Sequence, residues 1–266
     1  MNNVILWALI ATIGTWGLTA IGSATVLFIK KPNQRFLNLM LGFSSGVMIA
    51  ASFWSLLEPA IARAETTLST PAYIVVTLGF LTGAVFIWLS DRAISYALVK
   101  SSKTNSKSSG INRIIMLVLS ITLHNIPEGL AVGVAFGSIK DSTNTADALA
   151  GAISIAVGIG LQNFPEGTAV SVPLRREGYS RTKSFMFGQG SAIVEPIAGV
   201  LGAALVSAVE TILPFALSFA AGAMIIVAVH ELIPECQINK NTQPYSATMG
   251  IISGFAVMML LDVMLG

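Results

Sequence analysis

Apolar runs of about 20 residues, separated by short polar turns, recur along the whole chain, and each is long enough to cross the hydrocarbon core of a bilayer as a helix. Eight such runs are predicted, near residues 4–29, 36–58, 72–98, 113–138, 148–174, 184–208, 212–235 and 246–266. The pattern predicts an all-α integral membrane fold of eight transmembrane helices, forming a single polytopic domain over residues 1–266. The one low-complexity stretch, from Lys100 through Ser106 to Gly110, reads as a flexible cytoplasmic linker at 100–112 that separates three helices from five.

Composition removes the soluble alternatives. Hydrophobic residues make up 54% of the chain and charged residues 11%, with a mean hydropathy of +0.77, which leaves no room for a water-soluble domain of useful size. Any chemistry must then sit within the membrane. The single Cys236 excludes an internal disulfide and a cysteine-rich metal site. The chain lacks the basic stripe with interleaved aromatics that nucleic-acid binding requires.

The placement of charge sets a topology. Twelve of the 15 basic residues fall in the odd-numbered connections, among them Lys30, Lys31, Lys103, Lys107, Arg175, Arg181, Lys183 and Lys240, whereas the opposite loops hold Arg63 and Lys140. By the positive-inside tendency the odd connections are cytoplasmic, so both termini face outward. The start Met1-Asn2-Asn3-Val4 lacks a basic leader and the apolar run after it outlasts a signal segment, so a retained first span is expected. The expected location is a bacterial inner membrane.

An internal repeat organises the spans. His124-Asn125-Ile126-Pro127-Glu128-Gly129 in span four returns as Gln162-Asn163-Phe164-Pro165-Glu166-Gly167 in span five, which runs in the opposite direction. A fainter echo relates Phe43, Gly46, Met48 and Ile49 of span two to Phe219, Gly222, Met224 and Ile225 of span seven. Gly79, Gly83 and Asp91 of span three match Gly250, Gly254 and Asp262 of span eight in the same way. These matches predict an inverted-repeat 3+2+3 arrangement, the architecture that accompanies alternating access to a midplane site.

Ionisable groups at bilayer depth are costly and default to function. Counting 1.5 Å per residue from Arg113 places His124 roughly 16 Å into its span, near the midplane. Residues three and four apart share a helix face, so Glu128 meets Asn125 and His124, and Glu166 meets Asn163 and Gln162. Pro127 and Pro165 cannot donate backbone hydrogen bonds, which frees the carbonyls of Leu123 and Leu161 and kinks both helices. Glu195, loosened by Pro196, adds a third carboxylate. Three unpaired carboxylates in hydrocarbon repel one another, and a divalent cation removes that repulsion. Mixed oxygen and nitrogen donors suit zinc, iron(II), manganese(II) or cobalt(II). Met48 and Met224 read equally as core filling and as soft ligands. His230-Glu231 in span seven reads either as an exit site or as a packing pair, and Glu58 and Glu235 read as solvated acids at helix ends.

At these residues the chain resembles the ZIP family of metal transporters, and within it the GufA-like bacterial branch. The doubled Asn-x-Pro-Glu-Gly carries the resemblance, with Val194-Glu195-Pro196 and His230-Glu231-Leu232 in support. The resemblance implies a transported divalent metal, zinc first, held by His124, Asn125, Glu128, Gln162, Asn163, Glu166 and Glu195, with Met48 contributing and Glu128 and Glu166 bridging two adjacent ions. No cofactor beyond the transported metal is implied. The resemblance also implies a bundle of spans one, four, five and six sliding against spans two, three, seven and eight, within a homodimer. Two features depart from the family pattern: Gln162 stands where many members carry histidine, and the loop after span three holds no histidine. An intramembrane zinc enzyme and a cation/proton exchanger are the competing classes; the first lacks a His-Glu-x-x-His segment.

Overall fold

The computed structural model describes residues 2–28, 33–102, 109–141, 144–237 and 245–265. Lys30, Lys31, Lys103, Lys107 and Lys240 lie outside these residues, as does the centre of the expected 100–112 linker.

Every regular element among the described residues is helical: α1 (Asn2–Phe28), α2 (Gln34–Ala51), α3 (Glu58–Thr67), α4 (Ala72–Ser102), α5 (Ser109–Ser138), α6 (Thr145–Arg176), α7 (Arg181–Gly190), α8 (Val194–Ala208), α9 (Leu213–Val227), α10 (Ile233–Cys236) and α11 (Ser246–Leu265). Seven stretches are long and apolar enough to cross a membrane, and α5, at 30 residues, is an eighth helix of matching length. In a bilayer only intrahelical bonding satisfies the backbone of such segments, which is why apolar runs of this length close into helices.

The second stretch is longer than the hydropathy pattern predicts. It continues from Gln34 to Thr67, because a π-helical turn over Ser52–Leu57 joins α2 to α3. Pro59 supplies the reason: it cannot donate to the carbonyl four residues back, and a widened turn carries the helix past the gap. Glu58, expected at a helix end, is therefore inside a continuous helix, though exposed. A second π-helical turn, Ala228–Leu232, joins α9 to α10 just ahead of Pro234.

Span six is the opposite case. It is broken into α7 and α8 at Ser191–Ile193. Pro196 leaves the Ala192 carbonyl without its helical donor, and the Glu195 N–H takes that carbonyl instead at 3.0 Å. The break puts Glu195 in the first turn of α8, where a helix N-terminus favours negative charge.

The helices sort into two bundles by their packing. In one, α1 packs on α6 and α5 on α8, with α7 beside α1; in the other, α2 packs on α11 and α4 on α9. The four tightest pairings approach backbone to backbone at glycine. A carbon added at Gly22 or Gly167 would collide with the carbonyls of Phe164 or Thr19, and one at Gly83 or Gly254 with those of Phe219 or Phe43. Gly79, Gly83, Gly250 and Gly254 thus serve contacts within the chain. The bundles meet where α5 and α6 face α2, α4, α9 and α11.

Candidate metal site

The kinked middles of α5 and α6, the break in span six and the middle of α1 converge on one buried cluster. Glu128, Gln162, Asn163 and Glu195 are fully inaccessible, and His124, Asn125 and Glu166 are buried. The two copies of the motif cross-link directly: Gln162 Nε2 donates to Glu128 Oε1 at 2.7 Å. Asn125 Nδ2 donates to the Ser191 carbonyl at 3.1 Å, using an oxygen at the break in span six. Asn163 Nδ2 donates to Glu195 at 2.9 Å from each carboxylate oxygen. Thr15 Oγ1 donates to Glu195 Oε2 at 2.5 Å, and Ser44 Oγ to Glu166 Oε1 at 2.7 Å.

The decisive feature is what these bonds leave over. Among the described residues, Asn125 Oδ1, Gln162 Oε1, Asn163 Oδ1 and Glu128 Oε2 are buried acceptors without a donor. Buried polar groups are almost always paired, and leaving one unmatched costs about 1–3 kcal/mol. Four unmatched oxygens on two facing copies of one motif present a concentration of negative potential, and no Lys or Arg among the described residues is hydrogen-bonded to them. Oxygens of carboxylates and amides in such a set suit a hard or borderline divalent ion.

His124, beside the cluster, also reaches the other bundle. Its Nε2 lies 2.7 Å from Glu231 Oε1, a contact across the two bundles. Asp91 of α4 completes the group, so that ligand atoms of Asp91, His124 and Glu231 all lie within 4.8 Å of one another. Glu231 is partly buried against His124, and the adjacent His230 is exposed beside Phe80, Ala84 and Val229. Met48 is fully buried one turn beyond Ser44 on α2, and Met224 is buried in the equivalent place on α9.

Three participants escape the motif reading. Thr15 belongs to a buried stripe of Thr12, Thr15, Thr19 and Ser23 whose spacing of three and four marks one helix face, a signal present in the sequence. Ser44 sits four residues before Met48 and shares its face. Asp91 is legible only as the counterpart of Asp262.

The ZIP zinc transporter profile matches residues 99–262. The chain belongs to the ZIP zinc transporter family. It is 39% identical to zinc transporter ZIP11 of Xenopus tropicalis, with 98% of each chain covered. It is also 33% identical to zinc transporter ZIPB of Bordetella bronchiseptica, covering 98% of this chain and 82% of that one, and 30% identical to zinc transporter GufA of Myxococcus xanthus, covering 97% and 98%. As a ZIP member with these apolar helices, it is an integral membrane protein. The ZIP profile spans all three carboxylates of the buried cluster and both motif copies, whereas Thr15, Ser44 and Met48 lie before its first matched residue.

Proposed function

We propose that the protein carries divalent metal ions, zinc first among them, across a membrane towards the cytoplasm by alternating access. The observation that carries this reading is the set of four orphaned acceptor oxygens on the paired motifs. The relatives named zinc transporters support the same substrate. The metal is substrate here: Glu128 and Glu166 supply charge, Asn125, Gln162 and Asn163 supply neutral oxygens, and Met48 stands next to the cluster as a softer donor. Asp91, His124 and Glu231 form the following station on the path.

The 3+2+3 inverted repeat belongs to the same proposal, with both termini outward. Its support is that the helix pairings come in matched sets: exchanging spans one to three with six to eight, and four with five, turns the α1–α6 pair into α8–α5 and the α2–α11 pair into α9–α4. The two π-helical turns begin at Ser52 and Ala228, positions related by the same offset as Phe43 and Phe219. A bacterial inner membrane belongs to the proposal as well; the relatives include both bacterial and animal proteins.

The test is zinc, manganese and iron(II) flux into proteoliposomes holding the full-length protein. Saturable uptake is expected, and Glu128→Ala and Glu166→Ala should each abolish it while leaving the elution profile in detergent unchanged. Undiminished flux through either variant overturns the two-helix site.

A further inference from the structure

We infer that Glu195 is a positioning residue: its carboxylate holds the amide of Asn163, so that the metal meets Asn163 Oδ1 and not Glu195. The inference rests on the reading of the central cluster as a metal site and assigns one carboxylate of that cluster a different task.

The hydrogen bonds divide the three glutamates. Glu128 keeps an unmatched oxygen, and Glu166 receives the Ser44 hydroxyl on Oε1. Glu195 has both oxygens engaged, by Thr15 Oγ1 at 2.5 Å and by Asn163 Nδ2 at 2.9 Å to each, and it is fully inaccessible. A carboxylate satisfied on both oxygens gains least from a metal, because donors already in place would have to be given up first.

The two copies of the motif show what Glu195 does instead. Asn125 and Asn163 occupy equivalent places, and each spends its N–H2 on span six: one on the Ser191 carbonyl, the other on Glu195, four residues further along, with the Thr15 carbonyl of α1 as a longer second acceptor at 3.3 Å. In each case the amide oxygen is left buried and unmatched. A peptide carbonyl and a carboxylate are doing the same work. An asparagine free to rotate presents either its oxygen or its N–H2 to a cation, and the second is repulsive. Fixing the N–H2 fixes which end faces the metal. Thr15 and the N-terminal turn of α8 in turn hold the Glu195 carboxylate in place.

The test is a pair of double-mutant cycles on zinc binding by the purified full-length protein, followed by titration calorimetry. Glu195→Ala and Asn163→Ala should each weaken zinc binding by about tenfold or more, the usual cost of losing a group that orients a ligand. The combined variant should bind as Asn163→Ala alone does. Thr15→Val should weaken binding a few-fold in the parent and not at all in the Asn163→Ala background, and this second cycle decides the matter if Glu195→Ala does not fold. A role confined to helix packing would lower thermal stability without this dependence on Asn163. Losses that multiply in the double variants, or a Glu195→Ala variant that binds zinc like the parent, overturn the assignment. If Asn163→Ala and Glu166→Ala both bind zinc like the parent, the central site itself fails, a result distinct from multiplied losses.

Discussion

Ser44 and Glu166 stand on different bundles and are joined by one hydrogen bond of 2.7 Å from the serine hydroxyl to Oε1. The bond crosses the surface along which α2 faces α6, so any relative movement of the two bundles there would have to break it. A hydrogen bond to a charged group is worth about 1.5–3 kcal/mol. Ser44→Ala should raise the KM for zinc by about tenfold by releasing the carboxylate, while Ser44→Thr retains the hydroxyl and should stay within about threefold of the parent. Flux against zinc concentration measures both; equal KM values for the alanine variant and the parent would mean that the carboxylate is held by other means.

Selectivity turns on Gln162. Its amide nitrogen is committed to Glu128 and its oxygen is free, so it offers a neutral oxygen where an imidazole would offer nitrogen. Gln162→His can keep a donor for Glu128 while replacing the free oxygen by a softer ligand. Preference should move towards zinc and cadmium over manganese, by about tenfold in competition flux. An unchanged metal ranking would show that this position leaves selectivity alone.

Acid should suppress transport. The His124 nitrogen 2.7 Å from Glu231 is the one through which the ring would hold a metal there, and an imidazole nitrogen ligates only without a proton. Protons and metal therefore compete for the site, and uptake should fall on the acid side. His124→Gln should carry metal more slowly with a flatter acid limb, measured as zinc flux across a pH series. A wild-type acid limb in that variant would place the controlling proton elsewhere.

Packing makes a separate prediction. Gly167→Leu forces a side chain into the Thr19 carbonyl of α1, whereas Gly14 has open space around it. The first should cost several kcal/mol and lower the melting temperature in detergent sharply, as overpacked close contacts do. Gly14→Ala should be close to neutral. Thermal unfolding followed by tryptophan fluorescence distinguishes the two.

Hydropathy made seven of the eight spans legible to within about four residues at most ends, because hydrocarbon imposes a length on each helix. It misjudged the second, since a proline that ends a helix in water is bridged by a π-turn when the alternative is unpaired backbone in lipid. The doubled motif located the paired amides and carboxylates from spacing alone. Spacing within a helix says nothing of which helix lies opposite, so the partners from across the cluster, Ser44 and Thr15, and the turn of His124 towards Asp91 and Glu231 needed the tertiary structure.

The glycine contacts inside each bundle also decide where the molecule can deform. Carbonyls set directly against helix backbones leave no side chain to swing aside, so each bundle resists shear like a solid block. Between the blocks the surfaces are of another kind: Gly158 of α6 lies against the Met258 thioether of α11, and Ser154 reaches Asp262 through a hydroxyl at 3.3 Å. Thioethers and hydroxyls re-seat at small cost. If alternating access moves one bundle against the other, the compliant contacts are those between the bundles and not those within them.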